Sequence, residues 1–445
     1  MLLQFSVSNY RCFRERQTLN LAASGQDKTL LDNCITTDLP GLSGKRWLKG
    51  AALYGANASG KTTVLEALKK LKEMVRTSAG ITDPKKPISQ IESFALCPNQ
   101  PESPTAFSVA FVAEGVRYEY RVAATRERIW HESLRAFPKR VEQLWFSRDW
   151  IAASGLYRWT PERPTGFQRD LQLEGYTLSN MLFLSKAVAS NRPDLSPVFN
   201  WFTEQIHFLD LSVRGRLADG LTLNKLAEQG PFSDRIVDLL RHADLGVANA
   251  RTVETRYPPE ELQEMTRLAP NLQNILWNEK WSSPELAHRC ADGMELPLPW
   301  ESESAGTRRL FGLVGPWLDI MAKGYTVCVD ELETSMHPLM TRELLRLFFS
   351  NQENPHGAQI LFTTHNPILL DSTLLRRDQI WFTDKTDDGE AHLYPLTDYS
   401  PRKGESLVRG YLSGRYGAVP FVPAGLLGTF KARETVGKTE SDAHE

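Results

Sequence analysis

The strongest constraint on the fold of this chain is an eight-residue glycine loop that begins at Gly55. Residues 55–62 read GANASGKT and fit the pattern G-x-x-x-x-G-K-[ST], in which glycines let backbone N–H groups close around phosphates. The apolar residues 51–53 lead into the loop as the end of a buried strand would, and residues 64–71 leave it with helical apolar spacing. The sequence therefore predicts a strand, a phosphate-binding loop and a helix in direct succession.

Each residue type in this loop has a chemical role toward a nucleotide. Lys61 would contact the β- and γ-phosphates, and the Thr62 hydroxyl would bind Mg²⁺. The expected cofactors are therefore ATP and Mg²⁺. The other residues predicted to bind the nucleotide here are Gly55, Asn57, Ser59, Gly60 and Thr63.

An acidic pair, Asp330 and Glu331, follows an apolar run at 325–329. Parallel α/β sheets carry functional side chains at the carboxyl ends of their strands. We expect Asp330 to hold Mg²⁺, directly or through water, and Glu331 to orient or deprotonate the attacking water. Alone, such a pair is equally typical of a solvated acidic turn, but a phosphate-binding loop in the same chain favours the catalytic interpretation.

One histidine, His365, follows a predicted strand at 359–363. A ring nitrogen there would hydrogen-bond a γ-phosphate oxygen, although a lone histidine at a strand end is more often structural. Because His365 lies one strand beyond the acidic pair, where a γ-phosphate sensor belongs, we predict that it acts in catalysis.

The segment that contains Ser304, Gly306 and Thr307 precedes a predicted helix at 308–321, which Pro316 would bend or interrupt. A helix N-terminus presents free N–H groups and a positive dipole to an anion, while Ser304 or Thr307 would also serve as a simple N-cap. With the other motifs present, we predict that these three residues form a second wall of the nucleotide pocket. Because the glycine loop cannot supply both walls, we expect the second wall to come from another subunit.

Composition limits the other possibilities. The chain has 445 residues, room for two or three domains, and its formal net charge of −2 neither implies nor excludes nucleic acid. The five cysteines include no C-x-x-C pair, so no disulfide framework or zinc site is expected and a reducing cytosol fits best. The most apolar stretch, 310–329, is broken by Pro316, Asp319 and Lys323. We therefore expect a soluble, cytoplasmic protein that does not span a membrane.

The spacing of apolar residues predicts the order of the structural elements. Alternation predicts an opening hairpin at 3–7 and 18–21, a second hairpin at 107–122 and a strand near 142–147. Residues 177–287 are predicted to be mainly helical. The helices predicted there lie at 178–189, 198–204, 234–243 with Ser233 as the cap, and 260–268. The last third alternates strands at 325–329, 359–363 and 379–382 with a helix at 341–349, which indicates a largely parallel sheet.

Taken together, the glycine loop, the serine-glycine segment, the Asp-Glu pair and the Thr-Thr-His-Asn sequence at 363–366 resemble the nucleotide-binding domain of ABC-type ATPases of the SMC, RecF and overcoming-lysogeny branch. Asn9-Tyr10-Arg11 is similar to the N-terminal strand motif of that branch, whose arginine approaches a phosphate, so the resemblance makes Arg11 a further nucleotide ligand. Residues 301–307, 329–338 and 411–420 resemble compact bacterial ATPases of anti-phage defence, namely the RloA-like proteins and the ATPase subunit of the PARIS system.

The resemblance implies an α/β fold: an ABC-type P-loop nucleotide-binding domain with an antiparallel β lobe and an inserted, mainly helical subdomain. It also implies homodimers in which ATP is sandwiched between the glycine loop of one subunit and residues 304–307 of the other, with residues 332–337 as the D-loop. The Q-loop glutamine should lie between the glycine loop and the β lobe, where Gln90 is the candidate. The implied segments are the N-terminal ATPase half at 1–90, the β lobe at 91–150, the helical insertion at 151–290, the C-terminal ATPase half at 291–430 and a polar tail at 431–445.

Two functions are compatible with this resemblance. The first is the ATPase subunit of an anti-phage defence system, which controls a separate effector, a nuclease or toxin, when a phage component is sensed. It is favoured because the chain ends too soon after Pro420 to include the nuclease domain of overcoming-lysogeny proteins. The second is a RecF-like DNA-binding ATPase of repair or recombination, which the arginine-rich stretches at 126–140 and 158–169 leave open, although a charged run is usually a solvated face.

Overall fold

The computed structural model describes residues 1–96, 103–209, 216–243, 246–256, 280–402 and 404–420. The helix predicted at 260–268 and the polar tail at 431–445 lie outside these residues. Within the described part, no helix is long and apolar enough to cross a membrane. The described strands are β1 Leu2–Ser8, β2 Gln17–Asn20, β3 Cys34–Thr36, β4 Arg46–Leu48, β5 Gly50–Gly55, β6 Thr105–Ala113, β7 Val116–Ala124, β8 Ile129–Phe137, β9 Gln143–Ile151, β10 Leu156–Thr160, β11 Ile206–Leu209, β12 Val247–Arg256, β13 Lys280–Arg289, β14 Glu295–Leu298, β15 Thr326–Val329, β16 Gln359–Thr363, β17 Ile380–Lys385 and β18 Ala391–Pro395. The described α-helices are α1 Lys61–Thr77, α2 Leu171–Gly175, α3 Phe183–Ala189, α4 Ser196–Asn200, α5 Arg216–Ala227, α6 Pro231–His242, α7 Ala305–Lys323, α8 Pro338–Phe349 and α9 Leu407–Leu412.

A six-stranded sheet forms the centre of the fold, in the order β11-β15-β16-β5-β17-β18. The first five strands are parallel, and β18 runs antiparallel to β17. Every residue of β5, β15 and β16 is buried, as expected for apolar strands that are covered on both faces. The α/β class and the largely parallel sheet predicted from the sequence are confirmed.

Helices cover both faces of this sheet. Successive residues of β5 point to opposite faces, so alternate residues belong to two different hydrophobic cores. Ala51 and Leu53 share a hydrophobic core with the apolar side of α1 and with the β lobe. Ala52 and Tyr54 share the other core with α7 and α8. The helix that follows the glycine loop and the helix that follows the serine-glycine segment therefore lie on opposite faces of one sheet.

Helix α7 continues through Pro316, where the sequence predicts a bend or interruption. The Thr222 hydroxyl of α5 donates to Phe311 O at 2.8 Å and accepts from Gly315 N at 3.1 Å. It thus bridges a carbonyl and an N–H that are four residues apart in α7, one residue before Pro316. A side chain at Gly315 would overlap Thr222, so the close contact of α5 with α7 requires glycine there.

The β lobe is a seven-stranded antiparallel sheet in the order β10-β9-β8-β7-β6-β1-β2. Both predicted hairpins are present, as β1 with β2 and β6 with β7. Most of the inward residues are apolar, and Phe111 stacks on Trp201 with ring centroids 4.1 Å apart. The lobe is larger than predicted because β8 and β10 pair on either side of β9.

The range predicted to be mainly helical also contains strands. Within the insertion predicted at 151–290, helices α2 to α6 are present, but so are β10, β11 and the antiparallel pair of β12 and β13. Pro284 lies inside β13, and a proline usually argues against a strand. It is tolerated because β14 pairs only with residues 286–289 of β13. Helix α6 begins at Pro231 with Gly230 as its N-cap, so the predicted cap at Ser233 is wrong.

Candidate nucleotide-binding and hydrolysis site

The glycine loop lies between β5 and α1, in the predicted order. Gly60 has a φ of 110° and is the N-cap of α1, a conformation that favours glycine. A Cβ at Gly55 would overlap Ser59 Oγ and Thr383 Oγ1, and these two hydroxyls are 2.6 Å apart in a hydrogen bond. The loop therefore turns tightly at the carboxyl end of β5, and the N–H groups at the start of α1 are available to an anion.

Lys61 is buried in the first turn of α1. Its Nζ donates to Gly55 O at 2.9 Å and to Ala56 O at 2.8 Å. Burial lowers the pKa of this ammonium, and the charges of nearby carboxylates, with Asp330 the strongest, oppose that change. The lysine of the loop and the acidic pair therefore belong to one electrostatic site.

Thr62 contacts Asp330, the first residue of the acidic pair, directly. Thr62 Oγ1 lies 3.0 Å from Asp330 Oδ1 and 3.1 Å from Asp330 Oδ2. Thr363, the last residue of β16, donates from Oγ1 to Asp330 Oδ1 at 2.6 Å and accepts from the Glu331 N–H at 2.7 Å. Thr363 opens the Thr-Thr-His-Asn sequence, but sequence reasoning assigned it no role of its own. This one side chain orients both acidic residues.

Thr62 and Asp330 fit Mg²⁺ as a pair of oxygen donors. Mg²⁺ in nucleotide enzymes is typically bound through one or two protein oxygens together with substrate phosphates. Consistent with this, no group of three or more His, Cys, Asp or Glu residues is placed to hold a metal among the described residues. A metal held at this point would therefore be shared with the nucleotide.

Glu331 adopts a left-handed backbone conformation, with a φ of 48°, at the rim of a cleft. Its Oε2 accepts from Thr334 Oγ1 at 3.2 Å. The cleft has a volume of about 240 Å³ and is also lined by Thr62 and Asp330. The further lining residues are Leu65, Glu66, Lys69, Phe208, Leu209, Arg309, Cys328 and Thr334. The predicted catalytic carboxylate and the two predicted Mg²⁺ ligands thus face the same space.

Strand β11 ends next to the acidic pair. Leu209 at the end of β11 lines the cleft beside Thr62, whereas Gln90 is not among its lining residues. Strand β11 pairs in parallel with β15, so its carboxyl end lies next to Asp330. The assignment of Gln90 to the Q-loop stays a prediction.

His365 follows β16 and is partly exposed to solvent. Its backbone N–H donates to Glu333 Oε1 at 2.6 Å. Burial lowers the pKa of the imidazole and the charge of Lys61 lowers it further, while Glu333 and the acidic pair act in the opposite direction. The ring is therefore neutral at neutral pH. It lies close enough to Lys61 and to the acidic pair for their charges to affect its pKa.

Ser304 is the N-cap of α7, as its sequence allowed. Its Oγ accepts from Thr307 N at 3.0 Å and lies 2.8 Å from Thr307 Oγ1. A Cβ at Gly306 would lie 3.3 Å from Ser335 O, so the start of α7 packs closely on the turn after the acidic pair. In the described part of the chain, no hydrogen bond joins these residues to the glycine loop. Arg309 of α7 lines the same cleft as Thr62, and a nucleotide wall formed by Ser304, Gly306 and Thr307 stays a prediction.

Arg11 lies beside the glycine-loop helix but is held by carboxylates. Its guanidinium forms ion pairs with Glu66 and Glu92, each at 2.6 Å. The hydrogen bond to Glu92 raises the pKa of Arg11. Its neighbour Cys12 contacts Thr63 Oγ1 at 3.4 Å, so this loop supports the first turn of α1. Direct contact of Arg11 with a nucleotide stays a prediction.

Comparison with known proteins identifies the family. A family profile described as "AAA domain, putative AbiEii toxin, Type IV TA system" matches residues 51–371. The chain belongs to this AAA-domain family. The profile spans the glycine loop, the serine-glycine segment, the acidic pair and His365, whereas Arg11 lies outside it. No curated protein matches this AAA-domain chain.

Solved structures resemble this AAA-domain protein only distantly. An SMC head bound to the C-winged helix domain of ScpA is 11% identical, with a TM-score of 0.43 over 88% of this chain and 96% of that chain. The SMC head domain from Thermotoga maritima is 12% identical, with a TM-score of 0.39 and coverage of 88% and 98%. CbiO1 from Clostridium perfringens, part of the ABC transporter complex cbiONQ, is 10% identical, with a TM-score of 0.27 and coverage of 89% and 90%. At these scores the likenesses carry no functional argument.

Proposed function

We propose that this protein binds and hydrolyses ATP with Mg²⁺. The observation that carries the proposal is the 3.0 Å contact between Thr62 Oγ1 and Asp330 Oδ1, because it joins the phosphate loop to the acidic strand end. Thr363 holds Asp330 and the Glu331 backbone in place from the next strand. These positions match the chemistry of phosphoryl transfer, which depends on positioning and on charge neutralisation.

Each residue then has a role toward the nucleotide. Lys61 leaves the carbonyls of its own loop and pairs with the β- and γ-phosphates. Thr62 and Asp330 hold Mg²⁺, which when bound neutralises phosphate charge. Glu331 orients or deprotonates the attacking water, and the neutral His365 ring hydrogen-bonds a γ-phosphate oxygen.

The site is completed by a second copy of the chain. Ser304, Gly306 and Thr307 start α7, which lies on the opposite face of the sheet from α1. The N–H groups and dipole of α7 suit a phosphate, and no described contact directs them to the glycine loop of the same chain. We infer a homodimer in which each nucleotide is bound by the glycine loop of one subunit and the α7 start of the other.

The wider role that we propose is in anti-phage defence. The family description names a putative toxin of a type IV toxin–antitoxin system, and residues 301–307, 329–338 and 411–420 resemble RloA-like proteins and the PARIS ATPase subunit. The protein would act in the cytoplasm, where its ATP-driven assembly would control a separate nuclease or toxin.

Purified wild type, Lys61→Ala and Glu331→Gln test the enzymatic part, with Glu343→Gln as control because Glu343 is an exposed carboxylate on α8. ATP turnover, nucleotide binding and particle mass are measured with and without Mg²⁺. We expect turnover in the wild type and control only with Mg²⁺, loss of tight nucleotide binding in Lys61→Ala, and an ATP-bound dimer without turnover in Glu331→Gln. Normal turnover in Glu331→Gln would mean that another group is the catalytic base.

Co-expression with the product of the adjacent gene tests the role in defence. A stable complex whose release depends on ATP supports effector control, and no complex in any nucleotide state counts against it. DNA binding that strengthens with ATP and weakens with salt would instead favour a RecF-like role.

A further inference from the structure

Glu333 lies between Glu331, the proposed catalytic carboxylate, and His365. The proposed hydrolysis mechanism gives it no contact with the nucleotide or with Mg²⁺. Glu333 follows Glu331 by two residues, and its Oε1 accepts from the backbone N–H of His365 at 2.6 Å. A short hydrogen bond from an amide to a carboxylate is among the stronger hydrogen bonds in proteins. The contact joins segments that are 32 residues apart in the chain.

The second oxygen of this carboxylate is unusual. Glu333 Oε2 is buried and has no hydrogen-bond partner among the described residues. The Asn366 side-chain nitrogen, next to His365 in sequence, is also buried without a partner there. Buried polar groups are normally paired because leaving one unpaired is costly. The unpaired oxygen of Glu333 lowers the stability of the folded chain. A role in positioning His365 therefore explains this carboxylate better than a contribution to stability does.

The turn that carries Glu333 also touches the start of α7. It is closed by hydrogen bonds from Thr334 N to Glu331 O and from Met336 N to Glu333 O, both at 2.9 Å. Ser335 has a φ of 60°, and its carbonyl oxygen would be 3.3 Å from a Cβ at Gly306. The turn is therefore a compact unit that contacts His365 at one end and the α7 start at the other.

We propose that Glu333 is a positioning residue that holds the backbone of His365 and links it through the 331–336 turn to the start of α7. This inference rests on the proposed ATPase function. Under that function, Glu333 keeps the His365 ring within reach of the γ-phosphate of its own subunit, without itself touching a nucleotide.

The test compares Glu333→Ala, Glu333→Gln and Glu333→Asp in the full-length chain, with Glu343→Ala as the control. Glutamine keeps an oxygen that can accept from His365 N–H, whereas alanine removes it. Aspartate keeps the charge but is one methylene too short to reach the N–H. Two readouts are used: ATP turnover, resolved into kcat and KM, and hydrogen–deuterium exchange of peptides covering 363–369 and 303–309 without nucleotide.

We expect Glu333→Ala and Glu333→Asp to lower kcat about tenfold or more, because small displacements of a catalytic group have effects of that size. The KM for ATP should stay within about twofold, since the glycine loop is untouched. Both peptides should exchange faster in these two variants. Glu333→Gln should retain exchange protection and most of kcat, and Glu343→Ala should equal the wild type.

Several results would overturn the inference. One is unchanged kcat and exchange in Glu333→Ala and Glu333→Asp, and another is a glutamine variant as impaired as the alanine variant. If Glu333→Ala does not fold, the aspartate and glutamine variants make the same comparison. If the wild type itself has no turnover above that of Lys61→Ala, the proposed function fails, but the exchange measurement still decides whether Glu333 holds His365.

Discussion

Thr62 Oγ1 and Asp330 Oδ1 lie 3.0 Å apart although 268 residues separate them in the chain. The contact exists because β16 lies between β15 and β5 in the sheet, and all three strands end at the same edge. The side chain of Thr363, at the end of the intervening strand, completes the connection. The proposed metal site therefore depends on the order of β15, β16 and β5 in the sheet.

The Thr62→Val variant tests that site. Valine keeps the branched shape of threonine but removes the hydroxyl, while Asp330 keeps its hydrogen bond from Thr363. We expect the melting temperature to change by no more than about 2 °C, the Mg²⁺ concentration for half-maximal ATP turnover to rise about tenfold or more, and kcat to fall, because loss of even an outer-shell contact costs a metal site 10–100-fold. ATP turnover is measured against Mg²⁺ concentration. Unaltered Mg²⁺ dependence would remove Thr62 from the metal site.

His365 predicts a pH effect on stability. Burial, followed by the charge of Lys61, lowers the pKa of the folded-state imidazole below its ordinary value of 6.5. As the pH falls through 6.5, the unfolded chain therefore binds a proton that the folded chain does not, so the contribution of His365 to stability is present above that pH and is lost as the pH falls toward the lowered pKa. The His365→Gln variant should lose less melting temperature than the wild type between about pH 7.5 and about pH 5.5, a window around the ordinary histidine value.

The size of this effect is limited because the ring is partly exposed to solvent. A difference of about 1–2 °C at the acidic end of the window is expected, measured by thermal unfolding at several pH values. His242→Gln, which replaces an exposed histidine at the end of α6, is the control. If the two variants have the same pH profile, the environment of His365 does not disfavour its charged form.

Thr222→Val predicts a loss of stability that is centred on α7. The valine can neither donate to Phe311 O nor accept from Gly315 N, so both backbone groups lose their hydrogen bond to residue 222. We expect unfolding free energy to fall by about 1–3 kcal/mol, measured by urea denaturation. Thr77→Val is the matched control, because the Thr77 hydroxyl also donates to a helical carbonyl, Glu73 O at 2.8 Å, but is exposed. Equal losses in the two variants would mean that the bridge has no special role.

The parts of the site that sequence reasoning found are local in sequence. The glycine loop, the acidic pair and the N-cap at Ser304 each depend on a few consecutive residues and their flanking apolar runs. The bounds of β16 were predicted for the same reason. Local hydrogen bonds and apolar spacing determine such features, so they are visible without the fold.

The parts that were missed depend on distant contacts. Thr363 and Glu333 acquire their roles from partners more than 30 residues away, and the motifs at 363–366 and 332–337 in which they lie assign neither of them an individual role. The approach of Leu209 to the cleft depends on β11 joining the sheet next to β15. The pairing of β12 with β13 likewise joins residues that are far apart in the sequence, and Pro284 inside β13 argues against a strand.

A buried ion pair fastens the β lobe to the helices that follow it. Glu132 and Arg148 are both fully buried and lie 2.9 Å apart. Glu132 also accepts from Tyr120 OH at 2.8 Å, from Phe183 N at 2.7 Å and from Leu184 N at 3.0 Å. The carboxylate thus supplies acceptors to the first turn of α3, whose own N-cap residue provides no side-chain acceptor.

Glu132→Ala should therefore be strongly destabilising, because it leaves the Arg148 charge buried without its carboxylate and removes the acceptors of α3. Breaking a buried pair from one side costs about 3–5 kcal/mol, whereas Glu142→Ala, which removes the exposed partner of Arg135, should cost about 0–1 kcal/mol. Urea denaturation of the two variants and of Glu132→Ala with Arg148→Ala measures the difference. The double variant should lose less than the sum of the single losses, since the unpaired charge is gone. A Glu132→Ala loss as small as that of Glu142→Ala would mean that the lobe is held to α3 by apolar contacts such as Phe146 on Phe183 rather than by this pair.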